Sequence, residues 1–181
     1  PRLDAQQKVT GSYIYGMDHH LTGALESAVL RSPHPHARIL RIGTSRAEAL
    51  EGVRVVLTGQ DYPDLLMPGT VDDQPLLAVD RVRFFGEPVA LVAAENQEIA
   101  EQALRLIEVE YELLPVITDP EAAMQPDAPL LHEHWESYRA EPSLVRSGNV
   151  CCHARLSTGD VEKGFAEADY IFEDEFSTES V

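Results

Sequence analysis

The spacing of apolar residues changes twice between Asp80 and Leu114, and the remainder of the chain is arranged around that stretch. Val82 and Phe84 alternate with Arg81 and Arg83, which predicts a strand with one wet face, ended by the turn residues Gly86-Glu87-Pro88. The run Val89 to Ala94 is apolar at every position, as in a central strand covered on both faces. After Glu95 the period becomes helical. Ile99, Ala103, Leu106 and Ile107 fall on one stripe, Glu98, Glu101, Gln102 and Arg105 on the other, and Asn96 is placed as an N-cap. From Glu108 the period returns to two, with Val109, Tyr111 and Leu113 on one face and three glutamates on the other, until Pro115 closes the strand.

On the N-terminal side, residues 1–7 are polar and read as a disordered arm, and Lys8 to Tyr15 carries the β-branched and aromatic residues of a leading strand or arm. Ala24 to Leu30 and Ala37 to Ile42 alternate as strands, separated by Arg31-Ser32-Pro33-His34-Pro35-His36. Ser45 to Leu50 suits a short helix stopped by Gly52, and Val53 to Leu57 a buried strand. Thr58 to Pro75 reads as a long irregular loop, the kind that is usually functional or mobile. Beyond Pro115 the pattern predicts a short helix at Thr118 to Ala123, with proline in its first turn. A connector of little periodicity follows from Gln125 to Val150, then a strand at Val150 to Leu156, a helix at Asp160 to Ala168 and a last strand at Tyr170 to Phe176. The expected class is α+β. A mixed sheet with two packed helices occupies residues 8–124, and an extended connector with the first elements of a further domain occupies 125–181.

Composition narrows the options. A chain of 181 residues, 44% hydrophobic, supports one domain of moderate size. No run approaches the roughly 18 apolar residues of a membrane span. Arg2, Asp4 and Lys8 interrupt any secretory leader, and Pro1 does not fit a native initiator, so a piece excised from a longer chain is expected. The only cysteines, Cys151 and Cys152, are neighbours that would form a strained ring and cannot supply the four thiolates of an iron-sulfur cluster; a reducing cytoplasm is the expected location. The net charge of −17 is uneven: residues 1–94 hold 9 basic and 11 acidic side chains, residues 95–181 hold 5 and 20. So acidic a second half argues against nucleic acid and anionic membrane as partners, and reads as a solvated face before a docking surface.

Candidate chemistry is sparse. His19, His20, His34, His36, His132 and His134 suggest metal ligation, but no carboxylate or thiolate spacing completes a tetrahedral site, so they read as loop histidines beside prolines. Cys151-Cys152-His153 reads as a buried strand cysteine beside an exposed one. The carboxylates Asp72-Asp73 and Glu173-Asp174-Glu175 have no specificity as acid/base pairs in so acidic a chain. No glycine-rich phosphate or dinucleotide motif is present. Lys163 could carry a biotinyl or lipoyl group, but Val161-Glu162-Lys163-Gly164 lacks the flanking methionines of a biotin site. No metal ligand, catalytic residue or cofactor-binding residue emerges.

Five strings occur in an order that carries a resemblance: Lys8 to Gly11 with Tyr15 and Asp18; Ala28 to Ile39; Gly52 to Asp61; Val82 to Ala94 with Val109 to Val116; and Gly159-Asp160-Val161 with Glu167-Ala168-Asp169. Over nearly the whole chain they resemble the α/β hammerhead domain that begins the molybdenum-binding large subunit of the xanthine dehydrogenase, aldehyde oxidoreductase and carbon monoxide dehydrogenase family. One departure lies at Leu21-Thr22-Gly23, where a proline is common before the glycine. The resemblance implies a parent enzyme that hydroxylates an aldehyde, purine or aromatic heterocycle with oxygen from water at a molybdopterin centre, passing electrons through 2Fe-2S clusters to FAD on partner domains or subunits. The molybdenum ligands belong to later domains of the same chain, so this part alone is expected to bind no cofactor and to be inactive. Its implied role is to dock on those domains and wall the substrate channel at Gly69, Thr70, Val71 and Asp72, and self-association through uncovered apolar surface is expected. The alternatives are a freestanding interaction or assembly module for such an enzyme and, third, the carrier domain.

Overall fold

The computed structural model describes residues 2–19, 21–153 and 155–176. Its strands are β1 (Glu26–Arg31), β2 (Ala37–Gly43), β3 (Val53–Thr58), β4 (Arg81–Val82), β5 (Pro88–Ala94), β6 (Glu108–Leu113), β7 (Val145–Ser147) and β8 (Val150–His153). Its α-helices are α1 (Ala5–Val9), α2 (Ser45–Glu48), α3 (Gln97–Leu104), α4 (Pro120–Ala123) and α5 (Val161–Glu167). The α+β class stands, but the expected single mixed sheet is replaced by two three-stranded sheets, ordered β1-β5-β3 and β4-β2-β6, and a β7-β8 hairpin. Every pairing in them is antiparallel.

The unbroken apolar run becomes β5, the middle strand of the first sheet, and the reason is visible on its two faces. Ala90, Val92 and Ala94 are fully buried, with Ala28 of β1, against Ala100 and Ala103 of α3 and Ala47 of α2. Val89 joins a second cluster with Ala37, Ile39, Ala78 and Val82, on which Tyr111 packs. Alanine at so many facing positions brings α3 close to the sheet. The buried stripe is accordingly Ala100 and Ala103, continued by Ile107 beyond the helix end, while Ile99, Leu104 and Leu106 pack against it only half-buried. Asn96 caps α3 as expected, its Oδ1 accepting from the Ile99 N–H at 2.9 Å.

The glutamates of β6 have partners that periodicity did not show. Glu112, Glu110 and Glu108 pair with Arg38, Arg41 and Arg46 at 3.1, 3.1 and 2.9 Å. All six side chains are more than half exposed, so each pair contributes under about 1 kcal/mol, and together they fix strand register more than stability.

Three expectations fail locally. Residues 5–9 form α1 and no strand spans Lys8 to Tyr15; Lys8 bridges to Asp4 one turn back and sits 4.8 Å over the Tyr13 ring, which favours a helical turn. The wet face of β4 is absent, because Arg81 is buried and bonded to the connector while Phe84 and Phe85 point outward. Tyr170 to Phe176 forms no strand among the described residues. The expected strand Val150 to Leu156 is β8 as far as His153, Ala154 lying outside the described residues.

Candidate functional site

The loop after β3 carries the four residues implied to border a channel, and it is far from irregular. Its base is a tight turn in which Asp61 Oδ2 accepts from Thr58 N and Oγ1 at 2.7 and 3.0 Å. Its two arms then run antiparallel: Leu66 bridges to Pro75, Met67 N donates to Gln74 O at 2.8 Å, and Leu76 N donates to Leu65 O at 3.2 Å. At the tip, Gly69 N donates to Asp72 Oδ1 at 3.0 Å. The connector then takes hold. Asp72 N donates to Arg139 O at 2.8 Å, Glu141 N to Thr70 O at 3.1 Å, and Arg139 Nε to Asp72 Oδ2 at 2.6 Å.

These bonds give the four residues different situations. Gly69 and Thr70 are exposed. Val71 bridges to Ala140 and lines a cavity of about 60 Å³ with Trp135 and Tyr138, so it faces the connector. The Asp72 carboxyl is held below the ordinary carboxylate range by the Gly69 N–H and then by Arg139, which makes it a fixed anion organising the tip.

The connector holds its shape through side chains bonded to backbone. Asn149 donates to Ala123 O and Pro129 O and accepts from Leu131 N, each at 3.0 Å. Arg146 donates to Trp135 O at 2.9 Å and Tyr138 O at 3.2 Å. Two arginines of the preceding segment fasten it to the sheets: Arg83 Nε donates to Leu131 O at 3.0 Å, and Arg81 lies 3.1 Å from Glu133. Between loop and connector lies an open cleft of about 520 Å³, bordered by Asp64, Leu66, Asp73, Arg83, His134 and Tyr138.

Beside this cleft two groups titrate abnormally. Burial pushes the Glu87 carboxyl up, opposed by the Arg83 N–H that it accepts and the Arg83 charge. Burial also pushes the His132 imidazole down, helped by Arg83 and Arg81 and opposed by Asp73. A raised carboxyl pKa means that the folded chain holds the proton more tightly than the unfolded chain, so stability declines as pH rises from the ordinary carboxylate range through the raised value. Glu87→Gln is therefore expected to lose less stability between pH 4 and pH 7.5 than the parent sequence, read as urea midpoints at both pH values. Equal slopes would show that Glu87 titrates normally.

The remaining candidates separate. His36 is buried and bonds Pro115 O through Nδ1 at 2.6 Å, while His34 stacks edge-on against Tyr111 at 5.0 Å. His132 bonds the Tyr138 hydroxyl at 3.2 Å, and His20 lies outside the described residues. Among the described residues no group of three or more His, Cys, Asp or Glu side chains is placed to hold a metal ion. Cys151 and Cys152 are both exposed, correcting the expected buried and exposed pair, because the β7-β8 hairpin has neither face covered at that point. Lys163 lies within α5, 3.7 Å from Glu167, and not on the hairpin turn that a carrier lysine needs. On the face of the first sheet away from α3, an apolar groove of about 270 Å³ opens between Val29, Leu57 and Leu91 and the loop residues Tyr62, Leu65 and Leu76. Sequence reasoning missed Arg139, Arg146 and Asn149. The signal available was scarcity, since Arg139 and Arg146 are two of only five basic residues in the acidic second half.

Residues 10–115 match the family described as aldehyde oxidase and xanthine dehydrogenase, a/b hammerhead domain. A probable xanthine dehydrogenase subunit from Bacillus subtilis is 45% identical over 97% of this chain, which spans 22% of that relative. The nicotinate dehydrogenase large molybdopterin subunit of Eubacterium barkeri is 32% identical over 98% of this chain and 39% of its own length. A crystal structure of Cu,Mo-CO dehydrogenase in its carbon monoxide reduced state superimposes with a TM-score of 0.68 and 44% identity, covering 74% of this chain and 17% of that one. The match over residues 10–115, which hold both three-stranded sheets and the α3 helix packed on the first of them, places the chain in the aldehyde oxidase and xanthine dehydrogenase a/b hammerhead family.

Proposed function

We propose that this chain is the hammerhead part of the large subunit of a molybdenum-dependent hydroxylase, where it scaffolds the neighbouring domains and walls the passage of substrate. The observation that carries the reading is similarity along 97% of this chain to a relative of which it spans only 22%. The parent reaction is oxidation of an aldehyde, purine or other aromatic heterocycle with oxygen from water, in a cytoplasmic enzyme whose 2Fe-2S and FAD groups sit on partner domains or subunits.

The residues here do not fit the molybdopterin centre itself. The one carboxylate at the loop tip, Asp72, is already bonded to Gly69 N and Arg139, and no donor cluster lies near it among the described residues. In this reading the centre belongs to later domains of the same polypeptide, as the resemblance implies, and this part alone is expected to be inactive. Docking on those domains is supported by apolar side chains with no cover: Tyr170, Phe172 and Phe176 are each more than four-fifths exposed, and the groove beside Leu91 is open. Self-association is the expected behaviour of the part without them. The access role is supported by exposed Gly69 and Thr70 at the end of a loop whose position is fixed from both sides.

The test is the molybdenum content of the full-length native protein together with its turnover of benzaldehyde, xanthine and quinoline with a dye acceptor. About one molybdenum per large subunit, with turnover of at least one of the three, is expected. A protein without molybdenum and without turnover would leave an interaction or assembly module instead.

A further inference from the structure

The tip of the loop has almost nothing of its own to hold it. The bonds between its arms stop at Met67 and Gln74, and Pro68, Gly69 and Thr70 are exposed, so no apolar packing fixes them. What remains is the contact with the connector: Val71 turned toward Trp135 and Tyr138, and a clasp of two backbone bonds flanking one ion pair, Asp72 N to Arg139 O, Glu141 N to Thr70 O, and Arg139 Nε to Asp72 Oδ2. The two carboxylate oxygens of Asp72 divide the work. One ties the turn internally through Gly69 N, and the other receives the guanidinium. The Asp72 side chain is 14% exposed while that of Arg139 is 76% exposed, so the anion sits inside the clasp and the cation closes it from outside.

We propose that Arg139 is a positioning residue for the access loop, making the loop tip and the connector one mechanical unit, so that Thr70 is presented at a position set by the connector. This rests on the access role proposed above. The connector end of the unit is itself anchored, because Arg146 binds Tyr138 O just before Arg139 and binds Trp135 O further back. A displacement of residues 135–141 by anything docked on the connector therefore moves the wall at residues 69–72. The two backbone bonds and half-buried Val71, turned toward Trp135 and Tyr138, bring the tip to the connector, but neither holds the Asp72 carboxylate, and Gly69 and Thr70 stay open to water. The charge-assisted bond is the member of the set that water replaces least well.

The test uses the full-length protein and the variants Arg139→Ala and Arg139→Lys. Hydrogen exchange is followed by mass spectrometry for the segment 67–74, with α3 as the internal reference. Arg139→Ala is expected to speed exchange of 67–74 about tenfold without changing α3, and Arg139→Lys, which retains a cation, is expected to restore most of the protection. In the same preparations, the KM of whichever of benzaldehyde, xanthine or quinoline is turned over should rise severalfold in Arg139→Ala with kcat unchanged. Unaltered exchange in Arg139→Ala overturns the clasp whatever the kinetics show. Faster exchange with KM unmoved leaves the clasp in place, separates the loop from substrate passage and so overturns the positioning role. If none of the three probes is turned over, the hydroxylase reading fails on its own, and the exchange result still decides the clasp.

Discussion

Replacing Gly59 by alanine is expected to destabilise the fold by about 3 kcal/mol, at the upper end of what overpacking costs. Gly59 is buried where the loop leaves β3, and the returning chain at Leu77 and Ala78 crosses directly over it. A Cβ built on Gly59 lies 2.3 Å from Ala78 O and 2.7 Å from Leu77 O. Both obstacles are backbone, so no side-chain rotation relieves them. Nor can the crossing segment retreat easily. Ala78 is fully buried and its N–H donates to Pro88 O at 2.8 Å, at the start of the central strand. The relief available is to open the base of the loop, which breaks the turn at Thr58 to Asp61 and displaces the arms that carry Gly69 to Asp72. Urea unfolding of the variant should show a midpoint lower by roughly 1.5 M, for a slope of about 2 kcal/mol/M. Gly16→Ala, where a Cβ meets nothing within 4 Å, is the control, expected within about 0.5 kcal/mol of the parent. A Gly59→Ala midpoint equal to that control would mean that the two ends of the loop do not cross as described.

This pinch also shows what the sequence could and could not disclose. Leu57-Thr58 was legible as a strand end followed by a long irregular loop, and the turn that Thr58 and Asp61 form at its base is explained by side-chain capping chemistry once seen. That Gly59 must be glycine for a contact with Ala78 was not legible, because the partner is nineteen positions away and nothing in the local pattern names it. The same division runs through the chain. Val89 to Ala94 declared a central strand by being apolar on both faces, and Asn96 declared a cap, whereas Asp119 emerged as the cap of α4 only in the structure. Arg81 was assigned to water because a period-two pattern assumes that polar residues face outward, whereas Glu133 supplies it with a partner from the connector. The connector itself, with its low periodicity, was legible only as a covering segment. Its order comes from single polar side chains, Asn149 and Arg146, bonding backbone at a distance, and that kind of order leaves no repeat to detect. At the candidate site, the resemblance supplied Gly69 to Asp72, and only the fold distinguished outward Thr70 from connector-facing Val71 and clasped Asp72.

The contact between α3 and the first sheet ranks the residues of the helical stripe read from periodicity, and substitution at two of its positions tests that ranking. Periodicity placed Ile99 and Ala103 alike on the stripe. In the structure Ile99 leans over Gly52 at the end of the sheet and is only half-buried, whereas Ala103 is fully buried among Ala28, Ala90 and Ala94. An interface lined on both sides by alanine has no space to accept a larger side chain, since the helix already lies close to the strands and interiors are close-packed. Ala103→Leu is therefore expected to cost about 3 kcal/mol, because its added carbons can be placed only by lifting α3 off β5 or by forcing an off-rotamer side chain. Ile99→Ala removes partly exposed apolar surface and is expected to cost about 1 kcal/mol, well below the value for a fully buried isoleucine. The order of the two effects is the informative quantity. If Ile99→Ala proved the more damaging, α3 would be rotated about its axis relative to the structure, the alanine faces would not meet, and the close approach of helix to central strand would be wrong. If Ala103→Leu is the more damaging, the small residues of β1, β5 and α3 are explained together as the condition for seating a two-turn helix against so short a sheet.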